Sequence, residues 1–201
     1  SVANSNNGRS WNLWDSARFK DSVQLKGSGS DAYIMLSTVG VKETGSHQFG
    51  DNSVSVNRVY LNPDGTPFNP EKHKLGDEIM VVLTVTNLSS SELHELALVD
   101  RIPAGWEINN PKLNRSINLS QFYSKEPWNT EYIAIKDQQL ELFGDLKAKA
   151  SVQFVYTARA TSAGQFYVPP VHLEAMYNDR IWSKKPGQTI TIQGPWTKNL
   201  L

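Results

Sequence analysis

The chain of 201 residues has no cysteine. That absence removes disulfide bonds, thiolate metal ligands and a thiol nucleophile from it in one step. Net charge is missing as well, 20 Lys and Arg standing against 20 Asp and Glu. No field therefore gathers nucleic-acid phosphates or anionic lipid, and no nucleic-acid partner is expected. No apolar run approaches the roughly 20 residues that span a bilayer, and no signal-peptide pattern opens the sequence. A soluble piece is expected. A sustained 3.6-residue apolar stripe and a repeat of fixed period are also lacking.

What the chain does have is period-2 patterning, and enough length to bury on the order of 70% of the surface its unfolded form exposes. In 78–87, Ile79, Val81, Leu83 and Val85 share one face and Met80, Val82, Thr84 and Thr86 the other, which predicts a central strand. In 151–160, Val152, Phe154, Tyr156 and Ala158 alternate with Gln153, Thr157 and Arg159, which predicts a half-buried strand. Shorter runs lie at 53–61, 97–102, 131–135, 139–143, 165–168, 171–177 and 188–192. Turn chemistry separates them. Asn62-Pro63-Asp64-Gly65 supplies a Pro for the first turn position and a Gly for positive φ. Pro103-Ala104-Gly105 ends a strand, and Pro169-Pro170 places its strand at an edge or interrupts it. The stretch 110–129 is irregular and reads as a short helical turn or a long packed loop. Many short strands at this spacing make the chain all-β, an antiparallel β-sandwich.

Residues 1–48 read as an N-terminal hairpin appendage, runs at 22–25 and 31–41 flanking the flexible Gly27-Ser28-Gly29-Ser30, and 49–201 as the sandwich domain. The first ten residues, SVANSNNGRS, carry no initiator methionine and read as a start inside a longer protein.

Reactive constellations are scarce. His47, His73, His94 and His172 fall in four segments with no zinc-ligand spacing, and read as surface or turn residues, with His172 solvated opposite Val171 and Leu173. Neither a Gly-x-Ser-x-Gly elbow nor a Gly-x-x-x-x-Gly-Lys loop is present. No acidic residue stands out as half of a catalytic pair. The chain is therefore read as no enzyme, with no catalytic, metal or cofactor site. Six tryptophans (Trp11, Trp14, Trp106, Trp128, Trp182, Trp196) read first as packing. Exposed in a row, they would instead stack on sugar rings, and a carbohydrate-binding or adhesin-like sandwich is the competing reading. Asn87, Asn114 and Asn118 open Asn-x-Ser sequons, relevant only in a glycosylating pathway.

One stretch stands apart, Val168 to Trp182 (VPPVHLEAMYNDRIW), where a double proline precedes a strand that ends in Met176-Tyr177. Neighbouring side chains in a regular strand face opposite ways. Met176 and Tyr177 meet one partner only where the backbone bulges or leaves the sheet.

Several blocks then agree in order and spacing over about 150 residues with one family. They are Tyr60-Leu61-Asn62-Pro63-Asp64-Gly65, Leu75-Gly76-Asp77, Ile102-Pro103-Ala104-Gly105-Trp106-Glu107, Phe154-Val155-Tyr156-Thr157-Ala158-Arg159-Ala160, Gly164-Gln165-Phe166, Val168-Pro169-Pro170 and Glu174-Ala175-Met176-Tyr177. From Val54 onward the chain resembles the C-terminal macroglobulin-like domain, MG10, of bacterial α2-macroglobulins. That resemblance implies a macroglobulin-like, Ig-like sandwich within a large protease trap of the periplasm, with a parent chain commonly lipid-anchored to the inner membrane. It implies that residues 1–48 end the segment linking the thioester region to this domain. It also implies that the domain packs on the thioester domain of the same parent chain, Met176 and Tyr177 covering the thioester until a target protease cleaves the bait. With no cysteine in this chain, any thioester of the parent lies elsewhere.

Overall fold

The computed structural model describes residues 48–69, 72–109, 119–136 and 138–195. The predicted appendage lies outside them apart from Gln48. Among the described residues, fourteen strands follow one another. They are β1 (Gly50–Asn52), β2 (Val54–Leu61), β3 (His73–Lys74), β4 (Glu78–Asn87), β5 (Leu93–Arg101), β6 (Trp106–Ile108), β7 (Glu126–Pro127), β8 (Tyr132–Lys136), β9 (Gln139–Leu146), β10 (Ser151–Ala160), β11 (Gly164–Val168), β12 (Val171–Ala175), β13 (Asn178–Lys185) and β14 (Gln188–Gln193). A six-stranded sheet in the order β1-β13-β12-β5-β9-β8 faces a second sheet in the order β2-β4-β10-β6, with β7 beside β10. A three-stranded sheet, β11-β14-β3, completes the fold. Pairing is antiparallel except for β7 with β10 and β3 with β14. This is the expected all-β sandwich.

The core follows from alternation. Ile79, Val81, Leu83 and Val85 of β4 meet Leu96 and Leu98 of β5, Leu140 and Leu142 of β9 and Leu173 of β12 in one cluster. Each such side chain contributes on the order of 1.5–3 kcal/mol when fully buried. The other face of β4 is buried too, because a 3-10 turn at Leu119–Phe122 sets Phe122 against Met80, Val82 and Val155. The central position read for β4 therefore holds, and of the two readings of 110–129 the short helical turn is found at Leu119–Phe122, with 110–118 outside the described residues.

The same cover corrects the reading of β10 as half-buried. Gln153 and Thr157 face away from the sandwich core and are nonetheless buried. Gln153 Oε1 accepts the Ser124 and Lys125 amides at 2.8 and 3.1 Å, so its polar group has partners without water. A second correction concerns β12, which stops at Ala175 and leaves Met176 and Tyr177 outside the strand. A third is β13, whose Asn-Asp-Arg-Ile-Trp-Ser-Lys-Lys string has no clean alternation and was not read as a strand.

From β11 to β14 the chain forms one long, bent hairpin. Gly164 pairs with Ile192 and Val168 with Gln188 in the small sheet. Val171 pairs with Lys185 and Glu174 with Trp182 in the large one, in the same continuous register. Pro169 and Pro170 on one arm and Pro186 on the other supply no N–H, so the ladder lapses at this corner and the hairpin passes between sheets. Gly187 is required there, since a Cβ on it would lie 2.0 Å from the Val168 carbonyl oxygen.

A buried ion pair ties the two large sheets at this corner. Arg58 of β2 donates to Asp100 of β5, and its other terminal nitrogen donates to the Pro169 carbonyl at 2.8 Å. Tyr156 of β10 donates to the second Asp100 oxygen at 2.7 Å. Burial alone would lower the Arg58 guanidinium, but the Asp100 carboxylate against it raises it. Burial pushes Asp100 toward its neutral form. A neutral acid would strand the guanidinium without a counter-charge, so the ion pair is the state we assign. Asp100→Ala is expected to cost about 3–5 kcal/mol of unfolding free energy, read by urea titration.

Candidate functional site

The hairpin apex is the two-residue turn Met176-Tyr177, closed by Ala175 against Asn178. Two irregularities shape it. On β13, Asp179, Arg180 and Ile181 are inserted between the partners of Glu174 and Ala175, and the Asn178 side chain accepts the Arg180 amide at 3.1 Å. On the adjoining strand β5, His94 and Glu95 stand opposite Asp145 alone, a β-bulge with Glu95 at φ 53°. Glu95 occupies the left-handed region, and its carbonyl accepts the Met176 amide at 2.9 Å.

One carboxylate holds that bulge. Asp145 Oδ1 accepts the Glu95 amide at 2.9 Å and Oδ2 meets His94 Nδ1 at 2.6 Å. The hydrogen bond to His94, then that from the Glu95 amide, keep Asp145 below the usual carboxylate range, and the same Asp145 contact raises His94. A chain of contacts thus runs from Asp145 through Glu95 to the backbone of Met176.

The apex side chains themselves are uncovered. Met176 is 44% and Tyr177 86% exposed, while Ala175 beside them is buried. Both leave the sheet at one turn, so the strict alternation that would set them on opposite faces no longer applies. Two large side chains, one aromatic and one thioether, are presented at a backbone position fixed by the neighbouring strand.

The other candidates fall elsewhere. His73 corrects the reading of the histidines as surface or turn residues: it is buried, and Trp106 Nε1 donates to its Nε2 at 3.2 Å. His94 braces the bulge, His172 lies on the outer face of β12 with Val171 and Leu173 buried, and His47 lies outside the described residues. Trp106 and Trp128 are core residues and Trp182 is half-buried, while Trp11, Trp14 and Trp196 lie outside the described residues. The described tryptophans present no exposed row. Asn87 is buried and its side-chain amide donates to the carbonyls of Ser91, Leu146 and Lys147; Asn114 and Asn118 are not described. Among the described residues no three His, Asp or Glu converge as metal ligands. A shallow hollow of about 270 Å³ has Arg58, Tyr60 and Lys185 in its lining, and the two cations among them already have carboxylate partners. The bulge that supports Met176 was not seen in the sequence. Its only signal there is the unbroken polar pair His94-Glu95 inside an apolar strand.

The family model described as "Bacterial Alpha-2-macroglobulin MG10 domain" matches residues 54–179. The chain belongs to this MG10 family. Among curated relatives, an alpha-2-macroglobulin of Rickettsia conorii is 26% identical over 161 residues, covering 80% of this chain and 8% of that protein. One of Pasteurella multocida is 25% identical over 166 residues, covering 82% and 8%. Among solved structures, Salmonella alpha-2-macroglobulin reacted with methylamine superposes with a TM-score of 0.65 at 20% identity, over 75% of this chain and 10% of that one. The native conformation of the E. coli protein gives 0.63 at 21%, over 75% and 10%. These two likenesses establish the fold. The MG10 chain spans about 8% of the length of the curated relatives it matches.

In this MG10 domain the order of the apex is expected to depend on pH through the contacts that hold the bulge. The raised His94 contributes fully below its unfolded value near 6.5 and loses that contribution as pH rises through the folded value. The depressed Asp145 contributes above its unfolded value near 3.8 and loses it as pH falls through the folded value. Protection of the Met176 amide in hydrogen exchange, corrected for intrinsic rates, should therefore be greatest between those limits. Asp145→Ala is expected to lower that protection roughly tenfold and flatten its pH profile, leaving β4 and β10 amides unchanged.

Proposed function

We propose that this MG10 domain is a non-catalytic docking module of a bacterial α2-macroglobulin. Its apex, Met176 and Tyr177, covers a thioester carried by another domain of the same parent chain. The parent works as a periplasmic protease trap, anchored by lipid to the inner membrane, in which bait cleavage withdraws the cover and exposes the bond to the captured protease. The observation that carries this reading is the exposure of two large side chains at a turn whose backbone is braced from the next strand.

The chemistry of a cover favours these residue types. A thioester is lost to water and to amines, and excluding both from a recess slows both reactions. Methionine is unbranched and polarizable and fills an irregular recess, while tyrosine adds a large rigid face with a polar tip for the wet rim. Each side chain contributes on the order of 1–3 kcal/mol when it is buried in that contact. No proton transfer or bond-making is required of the domain itself.

A small primary amine tests the cover. Full-length parent carrying Met176→Ala with Tyr177→Ala should lose its thioester to methylamine at least about tenfold faster than the unaltered parent, since about 1.4 kcal/mol of lost contact suffices for that factor. Equal rates would remove the shielding role.

A further inference from the structure

Strand β8 closes one end of the six-stranded sheet and, among the described residues, has a partner strand on one side only. Its sequence is Tyr-Ile-Ala-Ile-Lys, with no proline, no glycine and no break in register. An edge of this kind offers a row of open backbone groups, which proteins blunt with a central charge, a bulge or a very short strand. The opposite edge of the same sheet follows that rule, since β1 is the three-residue Gly-Asp-Asn. On β8 the one charge stands at the end, where Lys136 is paired with Glu141 at 2.6 Å.

The core runs out to this edge. Ile133 stands beside Leu142 and Ile135 beside Leu140, so the two isoleucines share the inward face. Leu140 and Leu142 are fully buried, whereas Ile133 is 42% and Ile135 39% exposed. Ladder alternation then locates the free backbone groups. The Ile102 amide donates to the Gln138 carbonyl at 3.1 Å, which continues the β5–β9 register beyond Arg101 and Gln139. Gln138, Leu140 and Leu142 therefore bond toward β5, and Gln139, Glu141 and Phe143 toward β8. The partners of those three are Lys136, Ala134 and Tyr132, which leaves the N–H and C=O of Ile133 and Ile135 directed at the open edge.

We propose that β8 pairs antiparallel with β8 of a second copy of this chain, about a two-fold axis through Ala134. The strand is complementary to itself in that register. Ile133 meets Ile135 of the second copy, so the two exchange both backbone hydrogen bonds and cover each other's exposed side chains. On the other face Lys136 meets Tyr132 of the second copy, a cation against an aromatic ring. Ala134 meets its own counterpart as a non-hydrogen-bonded pair, the closer of the two spacings, with Cα atoms about 4.5 Å apart. It is the one small side chain in the strand. Moving the axis to Ile133 or Ile135 keeps the backbone match but takes one end of the strand out of the pairing. A contact of this length falls below the about 800 Å² per partner of a stable complex, so the association is reversible. It draws on no residue of the apex and stands or falls separately from the role of Met176 and Tyr177.

Cysteine cross-linking in the full-length parent reads this register, with the unaltered parent as the blank. Ala134→Cys sets two thiols on the axis within disulfide reach, and mild oxidation is expected to give a covalent dimer. Tyr132→Cys sets its two thiols roughly 14 Å apart along the strands and should give at least about tenfold less. Adding Ile133→Lys to Ala134→Cys puts a charge against Ile135 of the second copy and should abolish the cross-link. No dimer from Ala134→Cys, or equal yields from Ala134→Cys and Tyr132→Cys, overturns the proposal. Hydrogen exchange on the unaltered parent gives a second readout: the Ile133 and Ile135 amides should exchange several-fold more slowly at about 100 µM than at about 1 µM. Slow exchange that ignores concentration would assign the edge to another segment of the parent chain, and fast exchange at both concentrations would leave it open; either result overturns the pairing.

Discussion

Pro169 and Pro170 have no amide hydrogens to give, and the long hairpin from β11 to β14 must break its ladder where they stand. The break is filled by Arg58, which donates to the Pro169 carbonyl while its charge is neutralised by Asp100 and, through it, joined to Tyr156. This cluster fixes where the hairpin leaves the small sheet and enters the large one. Everything beyond the corner, including the course of β12 between β13 and β5, inherits its direction from that point. Isolated, such a pair is a poor source of stability; here it satisfies the backbone at a place where the strands cannot.

Past the corner, the hairpin is carried deep in the sheet until Ala175 and then released. The release needs two irregularities, three extra residues on β13 and one on β5, and they have different tasks. The first turns the apex off the sheet; the second, held by Asp145, receives the Met176 amide. A surface group ordered before it meets a partner loses less entropy on docking. The left-handed backbone of Glu95 is a local cost of the kind that persists where surrounding contacts determine the geometry. The apex is therefore exposed in its side chains and fixed in its backbone, which favours the cover proposed for it.

Much of the fold was readable from alternation. β4 and β10 are visible because their inward residues, Ile79, Val81, Leu83 and Val85 in one and Val152, Phe154, Tyr156 and Ala158 in the other, recur at period 2, and the Asn62-Pro63-Asp64-Gly65 turn because its chemistry permits little else: the Gly65 amide closes onto the Asn62 carbonyl at 2.9 Å with Gly65 at φ 83°. β13 was invisible, since an inserted bulge throws its few apolar residues out of period. Gln153 and Thr157 misled for another reason. They are polar residues on an outward face, and only contacts from elsewhere in the sequence make that face an inside, the 119–125 stretch over Val155 and Gln153 and Asn109 beside Thr157. His73 was misread likewise: it is buried between Phe68 and Trp106, the latter 33 positions away.

By itself the sequence determined the composition of the strands, the exclusion of thiol chemistry, the interruption at the double proline and the presence of Met176-Tyr177 after it, because each depends on residue type or on neighbours one or two positions away. Only the tertiary structure decided that both side chains emerge at one turn and that Asp145 braces it. Those facts depend on cross-strand register and on which bulge stands opposite which residue, and register is set by pairings between segments tens of residues apart, which local periodicity does not encode.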